Sequence, residues 1–289
     1  MTPDQFIEKK FCAGDGITSV YWVKEGRPDK PALFFIHGLG GNSTAWKGVI
    51  RSLANNDLTM LCIDLRCHGL SDMPSSGKYY GIDKIADDIN GVIEKENIRS
   101  YIPVAHSFGG VCVLTALLNG GGGAAGAVLC NTPYKNPYRH SPNFFVKRSA
   151  PLLKVLLRAA AAGGVMRRKK YPYPDYYALR HLSETGLWLH DISAAPLRAF
   201  FNNYLLMFSL DFDEKELASL PHDFLLFTSD DPFVAKESLY DLSKILKTWK
   251  IVEIKGCDHE TIIRNSGDVA AELDLFIAYI LKKQNGSCV

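Results

Sequence analysis

The sequence has no apolar stretch near the roughly 20 residues that a membrane-spanning helix requires. Its first ten residues, Met1 to Lys10, mix acidic and basic side chains and contain no apolar run, unlike a signal peptide. We therefore expect a protein that neither spans a membrane nor carries a secretory leader.

The sequence also has almost no excess of one charge, because 33 basic residues are balanced by 31 acidic residues, for a net charge of +2. A molecule with so weak an overall field is not expected to bind nucleic acid. Seven cysteines is an odd number, and four of them stand in apolar runs, which is typical of buried thiols rather than of a disulfide framework. This cysteine usage predicts a cytoplasmic protein.

What is present is a hydrophobic content of 47% in a chain of 289 residues, enough for one large α/β domain with an inserted segment. Apolar runs of strand length alternate with segments of helical period, which favours a mostly parallel central sheet with helices on both faces. The predicted strands are 31–38, 58–65, 100–107, 125–131, 223–229 and 249–255, and the predicted helices are 43–55, 82–97, 108–118, 233–248 and 266–284.

Two segments depart from this alternation. Residues 6–26 form two short alternating runs around Asp15 and Gly16, which predicts an antiparallel hairpin at one edge of the sheet. Residues 132–222 contain no clear strand and are rich in aromatic residues, proline and basic residues. We therefore predict an α/β core built from 1–131 and 223–289, with 132–222 inserted as a helical cap or lid.

The most informative motif is AHSFG at residues 105–109, which follows a predicted buried strand and precedes a predicted helix. A serine on such a tight turn needs small residues two positions before and after it, and Ala105 and Gly109 supply them around Ser107. The start of a helix also aims backbone N–H groups at developing negative charge. Taken alone, the motif is compatible with an ordinary serine-glycine turn as well.

A second motif, FFIHGLGG at residues 34–41, ends a predicted strand in a glycine-rich loop. With it the chain resembles the α/β-hydrolase superfamily, in the serine-nucleophile branch of esterases and lipases with an inserted cap. The resemblance implies that the backbone N–H groups of Leu39 and Phe108 form an oxyanion hole, and that His37 and Gly38 support the loop. Members that resemble epoxide hydrolases or haloalkane dehalogenases use aspartate where this chain has serine.

A third motif, DLRCHGLSD at residues 64–72, resembles a further signature of the superfamily, with Cys67 where glycine is usual. It supports the fold more than the chemistry.

Two late loops carry the candidate acid and base. Asp231 follows the predicted strand 223–229, and His259 follows the last predicted strand, at the positions that the resemblance implies. The order serine, acid, histidine is that of this fold. Asp230 is the alternative acid, whereas an earlier position that some members use holds the uncharged Asn131. The histidine is needed because a serine hydroxyl is a weak nucleophile at neutral pH, and a carboxylate orients the histidine.

The predicted function is hydrolysis of a small or medium apolar carboxylic ester through an acyl-enzyme, without a metal or organic cofactor. The same motifs occur in lactonases, thioesterases, carbon-carbon bond hydrolases and cofactor-free perhydrolases, so these activities remain alternatives. A non-hydrolytic receptor that binds a small ligand on the same fold is a rival of a different class.

The predicted cap is strongly basic between residues 134 and 185, where eleven basic and two acidic residues give a net charge of +9. Such asymmetry can steer an anionic or acyl-containing substrate, or place the cap against an anionic membrane surface. A solvated helical face also explains it. Leucines at 152, 153, 156 and 157 form an apolar helical stripe, suited to a lid over Ser107. We expect a monomer or a homodimer.

Overall fold

The computed structural model describes residues 6–54, 57–74, 76–140, 144–162, 173–183, 185–187, 189–190 and 197–286. Its strands are β1 (Ile7–Cys12), β2 (Thr18–Lys24), β3 (Ala32–Ile36), β4 (Met60–Asp64), β5 (Tyr101–His106), β6 (Ala127–Cys130), β7 (Phe224–Ser229) and β8 (Thr248–Ile254). They form one sheet in the order β1-β2-β4-β3-β5-β6-β7-β8. All pairs from β4 to β8 are parallel, and β2 is antiparallel to both of its neighbours. The predicted fold class is confirmed.

The helices of the described residues alternate with the strands. Those with defined bounds are α1 (Lys47–Ser52), α2 (Ile82–Lys95), α3 (Phe108–Leu118), α4 (Phe144–Ala162), α5 (Leu197–Met207), α6 (Glu214–Ala218), α7 (Lys236–Ile245), α8 (Thr261–Arg264) and α9 (Ser266–Gln284). One face of the sheet is covered by α2, α3, α6 and α7, and the other by α1, α8 and α9. The sheet is therefore enclosed between two helical layers.

The central strands are apolar because both of their faces are covered. Every residue of β3 is buried. Successive side chains of a strand point to opposite faces, so Phe34 and Ile36 pack with one helical layer while Leu33 and Phe35 pack with the other. The same complete burial holds for β4, β5, β6 and β7.

The antiparallel pair β1 and β2 confirms the predicted hairpin at the edge of the sheet. Gly16 has a φ of 82° in the turn, a left-handed conformation that glycine adopts without strain. A side chain of the core holds this turn, because Arg66 Nη1 lies 2.8 Å from Asp15 Oδ2 and Arg66 Nη2 lies 2.6 Å from Asp88 Oδ1. Arg66 thus connects the hairpin to α2.

Three predicted helices differ from the observed ones at their ends. The prediction 82–97 runs two residues past α2, which ends at Lys95. The prediction 233–248 starts too early, since the chain enters α7 only at Lys236. The preceding N–H groups of Phe233 and Val234 donate to the Asp231 carboxylate and form a loop instead. The prediction 43–55 covers a 3-10 turn at Ser43–Trp46 followed by α1, and its last residue lies outside the described residues.

Between β6 and β7, the described residues form helices and loops, with one isolated bridge between Lys135 and Asp211. The two ends of this segment lie next to each other, where Phe212 N donates to Tyr134 O at 3.1 Å. Tyr176 packs into the same apolar cluster as β3 and α9. The division of the chain into core and cap stays a prediction.

Two further predictions concern membranes and thiols. None of the helices described combines the length and the apolar character needed to cross a bilayer. Free thiols are buried at Cys62, Cys67, Cys112, Cys130 and Cys257. Cys12 is exposed, contrary to the prediction from its apolar run, because β1 is an edge strand with one side open to solvent. Cys288 lies outside the described residues.

Candidate active site

Ser107 stands on the sharp turn between β5 and α3. Its φ of 51° and ψ of −119° are unusual for a residue with a side chain, and such strain is typical of functional turns. The turn is fixed because Ser107 N donates to Cys130 O at 2.8 Å. A methyl group at Gly109 would lie 2.4 Å from the backbone oxygen of His37, so glycine is required there. The sequence motif therefore forms the predicted strand-to-helix turn.

Ser107, His259 and Asp231 lie in a chain of hydrogen bonds. His259 Nε2 is 2.9 Å from Ser107 Oγ, and His259 Nδ1 is 2.5 Å from Asp231 Oδ2. A carboxylate can only accept, so Nδ1 carries the hydrogen and Nε2 is left to accept from the serine hydroxyl. The Asp231 side chain is 1% exposed. This arrangement can take a proton from Ser107 as its oxygen attacks.

Asp230, the alternative acid, is directed elsewhere. Its Oδ2 accepts from Gly256 N at 2.8 Å, and its Oδ1 accepts from Lys236 Nζ at 3.2 Å. These partners, with the Gly256 N–H first, lower the pKa of the exposed carboxyl. Asp231 rather than Asp230 therefore contacts His259.

The predicted oxyanion donors are the backbone N–H groups of Leu39, in the glycine-rich loop, and of Phe108, directly after the serine. Phe108 is the first residue of α3, so its N–H has no partner within the helix. Leu39 follows β3, and both residues line the cavity that contains Ser107. In the described part of the chain no backbone hydrogen bond of a loop or turn uses either N–H. The two groups are thus available to a negatively charged oxygen.

His37 joins the glycine-rich loop to β4. Leu65 N donates to His37 Nε2 at 3.0 Å, so the ring hydrogen is on Nδ1, which donates to Gly38 O at 2.7 Å. Gly38 leaves room for His106, since a methyl group at Gly38 would lie 2.8 Å from His106 Nδ1. Both predicted supporting residues contact the loops that surround Ser107.

The third motif builds the neighbouring loops around the buried Asp64. Its carboxyl group accepts from Ser43 N and Leu70 N, both at 2.8 Å. Burial raises the pKa of Asp64 to about 7. A methyl group at Gly69 would lie 1.9 Å from this carboxyl, and Cys67 adopts a left-handed φ of 70°, where glycine carries no strain. The motif has a structural role here, as predicted from the sequence.

Two residues with a role at the site were missed in the sequence. Asn131 Nδ2 donates to His259 O at 3.0 Å, and His106 Nε2 donates to the same oxygen at 2.9 Å. They hold the backbone of the base from the ends of β6 and β5. In the sequence, Asn131 stands at a position that some family members use for the acid, and a polar residue directly after a buried strand is itself a signal of a site at that edge.

Three buried histidines near the site are kept neutral. Burial is the main cause that lowers the pKa of His106 to about 3 and of His68 to about 4. It also lowers the pKa of His37 well below its ordinary value. These rings act as fixed hydrogen-bonding groups rather than as proton carriers at neutral pH.

A cavity of about 260 Å³ opens over Ser107 and His259. Its walls are mostly apolar or aromatic and come from both the core and the 132–222 segment. Core residues in the wall are Leu39, Ala45, Phe108, Phe233, Val234 and Ile263, and residues of the segment are Pro133, Pro137, Tyr138, Leu153, Tyr176, Tyr204 and Met207. Of the leucine stripe, Leu153 lines the cavity, while Leu152 and Leu156 are exposed. The cavity suits an apolar group held next to the serine.

A model of the alpha/beta hydrolase family matches residues 33–272, from β3 into α9. The chain belongs to this family. The match includes Ser107, Asp231 and His259, and it confirms the resemblance drawn from the motifs.

Curated relatives match this chain over limited segments. Epoxide hydrolase 1 of Caenorhabditis elegans is 35% identical over 92 residues, which are 32% of this chain and 22% of that protein. The 2-(acetamidomethylene)succinate hydrolase of Mesorhizobium japonicum is 36% identical over 113 residues, which are 39% of this chain and 38% of that protein. The chain thus aligns with about a fifth to two fifths of the length of these relatives.

Solved structures resemble this chain over nearly its whole length. An esterase of Exiguobacterium antarcticum covers 94% of this chain and all of its own, with a TM-score of 0.74 and 16% identity. A thermophilic esterase of Thermogutta terrifontis covers 96% of this chain and 99% of its own, with a TM-score of 0.71 and 18% identity. At these identities the likeness shows the fold alone.

Proposed function

We propose that this alpha/beta hydrolase is a serine hydrolase that cleaves a carboxylic ester through an acyl-enzyme. The observation that carries the proposal is the hydrogen-bonded chain from Ser107 Oγ to His259 and on to Asp231. A serine needs such a partner because its hydroxyl is a weak nucleophile at neutral pH. The esterase-like neighbours of the fold are in keeping with this chemistry.

In the proposed first half-reaction, Ser107 Oγ attacks the ester carbonyl while His259 Nε2 takes the hydroxyl proton. The carbonyl oxygen becomes negative and accepts hydrogen bonds from the N–H groups of Leu39 and Phe108. Asp231 holds the ring of His259 and stabilises the imidazolium. The protonated Nε2 then donates to the leaving alcohol as the carbon-oxygen bond breaks, and an acyl-serine remains.

In the second half-reaction, water attacks the acyl-serine and gives a proton to His259 Nε2. The same two N–H groups hold the oxygen again, and the bond to Ser107 Oγ breaks as His259 returns the proton to it. The products are a carboxylic acid and the free enzyme. Each step uses groups of this chain and one water molecule.

The cavity supports a small or medium apolar acyl group as the substrate part next to the serine. Its volume of about 260 Å³ is slightly smaller than the about 300–1,000 Å³ of pockets that bind drug-sized molecules. Aromatic walls from Tyr138 and Tyr204 favour apolar contact over hydration. We therefore expect the highest turnover with short or medium acyl chains.

A fluorophosphonate probe and a panel of p-nitrophenyl esters of graded acyl length test the proposal. The wild type is expected to be labelled and to hydrolyse the esters, and Ser107→Ala and His259→Ala are expected to lose both activities. Ser149→Ala is the matched control, because this second serine also lines the cavity and should leave labelling intact. A folded wild type that is neither labelled nor active on any ester, thioester or lactone would favour a ligand-binding role instead.

A further inference from the structure

Helix α4 has two apolar faces. Its inner face packs on the protein, with Ala150 and Leu157 buried and Leu153 lining the cavity. Leu152 and Leu156 on the other side are 64% and 58% exposed. A surface helix ordinarily shows solvent a polar face opposite its apolar stripe. The outer face of α4 therefore exposes more apolar surface than is usual for a helix face that contacts only water.

The exposed apolar residues form one continuous strip. Successive residues of a helix are rotated by about 100°, so Leu152, Val155 and Leu156 fall within about 100° of one another. Val155 is 60% exposed, and Phe144, at the start of the same helix, is 67% exposed. Contiguous exposed apolar surface of this kind marks a contact site for another surface. We call Leu152, Val155 and Leu156 the apolar strip.

Basic side chains border this strip. Lys147, Arg148 and Arg158 are exposed, and α4 contains no acidic residue. None of the three has an ion pair with another described residue. By contrast Asp175, an acidic residue of the same inserted segment, is paired with Lys47 at 2.6 Å. The basic residues beside the apolar strip are therefore not ion-paired with any described carboxylate, and α4 itself adds only positive charge.

We propose that the outer face of α4 docks on a phospholipid bilayer that carries anionic headgroups, with the apolar strip inserted and the basic residues at headgroup level. An amphipathic segment binds an interface in this way when apolar residues enter the acyl boundary and lysine or arginine contacts anionic lipid. Long basic side chains can keep their charge at the headgroups while their stems cover apolar surface.

Charge decides between a bilayer and a second copy of the chain. A symmetric contact between two α4 helices would bring Lys147, Arg148 and Arg158 of both copies together without an acidic partner on either helix. Like charges in such a contact oppose association. An anionic headgroup layer neutralises the same residues, so the bilayer is the occupant that this surface fits.

Docking would also bring the cavity close to lipid. Ser149 and Leu153 on the inner side of α4 line the cavity over Ser107, so the helix lies between the reaction site and the bilayer. If the proposed function holds, an ester with an apolar acyl group can then reach the cavity from the membrane. Docking itself does not depend on that function.

The test is co-sedimentation of the Ser107→Ala protein with vesicles, so that hydrolysis does not change the lipid. Vesicles of phosphatidylcholine alone are compared with vesicles that contain about one third phosphatidylglycerol. We expect binding to the anionic vesicles at low salt, and a loss of at least about tenfold without phosphatidylglycerol or in 1 M salt, where the Debye length is only about 3 Å. No binding to anionic vesicles at low salt would overturn the proposal.

Two sets of variants locate the docking face. Leu152→Gln/Leu156→Gln should weaken binding by at least about tenfold, because these residues supply the inserted area. Ile7→Gln/Leu275→Gln is the matched control, since these aliphatic residues are 59% and 55% exposed elsewhere on the surface, and it should change binding by less than about twofold. An equal effect of both pairs would overturn the assignment to α4.

The basic residues are tested with Lys147→Gln/Arg148→Gln/Arg158→Gln, which should weaken binding to anionic vesicles by about fivefold or more per residue and flatten its salt dependence. Gel filtration without lipid distinguishes a membrane surface from a contact between two copies of the chain. A protein that self-associates without lipid, and becomes monomeric on Leu152→Gln/Leu156→Gln, would show that α4 is a contact between copies and would overturn the proposal. The proposed function is tested separately, by measuring the turnover of a soluble p-nitrophenyl ester with the same variants in the protein that retains Ser107.

Discussion

The replacement of Asp231 by asparagine is the sharpest test of the candidate site. Asp231 Oδ1 accepts from the N–H groups of Phe233 and Val234, and an amide oxygen can accept both of these bonds. Its Oδ2 accepts from His259 Nδ1 at 2.5 Å, whereas an amide nitrogen placed there would donate. The variant should therefore keep the loop and reverse the hydrogen bond to His259.

The reversed bond changes the tautomer of the base. With Nδ1 as acceptor, the ring hydrogen moves to Nε2, which then cannot accept the proton of Ser107 at 2.9 Å. A triad that loses its acid in this way loses about 10⁴-fold in kcat, or about 5.5 kcal/mol of transition-state stabilisation. We expect this loss in kcat for p-nitrophenyl butyrate, with a stability within about 1 kcal/mol of the wild type.

Asp230→Asn is the matched control, because it makes the same chemical change one residue earlier. Asp230 is exposed and binds Lys236 and Gly256 rather than His259, so its amide should change kcat by less than about threefold. Steady-state kinetics and thermal unfolding of both variants complete the comparison. A folded Asp231→Asn protein with more than about one tenth of the wild-type kcat would refute the proposed role of Asp231.

Three further predictions concern the turn, the loop of the base and the buried histidines. Gly109→Ala should abolish folding or lower Tm sharply in a thermal melt, since its methyl group would meet a backbone oxygen at 2.4 Å, whereas Gly267→Ala, with nothing within 4 Å, should leave Tm unchanged or higher. Asn131→Ala should lower kcat about tenfold at constant KM in steady-state kinetics, because one of two hydrogen bonds to the base is lost. Burial lowers the pKa of His68 to about 4 and of His106 to about 3, so the unfolded chain binds protons that the folded chain does not between these values and about 6.5. The free energy of unfolding, measured by urea titration, should therefore fall by about 2 kcal/mol per histidine between pH 6.5 and pH 5. If the free energy of unfolding of His68→Asn falls with pH as steeply as that of the wild type, this account is wrong.

The fold was predictable because its signals are local and repeated. Buried parallel strands are continuously apolar, as in β3 and β5, and the apolar period of α9 marks that helix to the residue. The end of α7 nearest the site was not predictable in this way. There the Asp231 carboxylate accepts hydrogen bonds from the N–H groups of Phe233 and Val234, so these residues form a loop instead of a helical turn. The spacing of apolar residues in the sequence does not show such a hydrogen bond.

The proposed catalytic residues could be selected from the sequence for a similar reason. Ser107, Asp231 and His259 each follow a strand in the order that the fold requires, so the sequence marks their positions. Asn131 and the cavity walls could not be assigned, because their roles depend on contacts between distant segments. Tyr138, for example, reaches the cavity while stacked on Phe208, with ring centroids 4.2 Å apart, and no motif links these two positions.

The backbone bridge between Lys135 and Asp211 bears on how the segment between these residues can be replaced. Because the chain leaves and returns at one place, we expect that the residues between these two positions can be exchanged together while β6 and β7 keep their places. Grafting a foreign insertion at this junction should give chimaeras that keep the scaffold and differ in the ligand they accept.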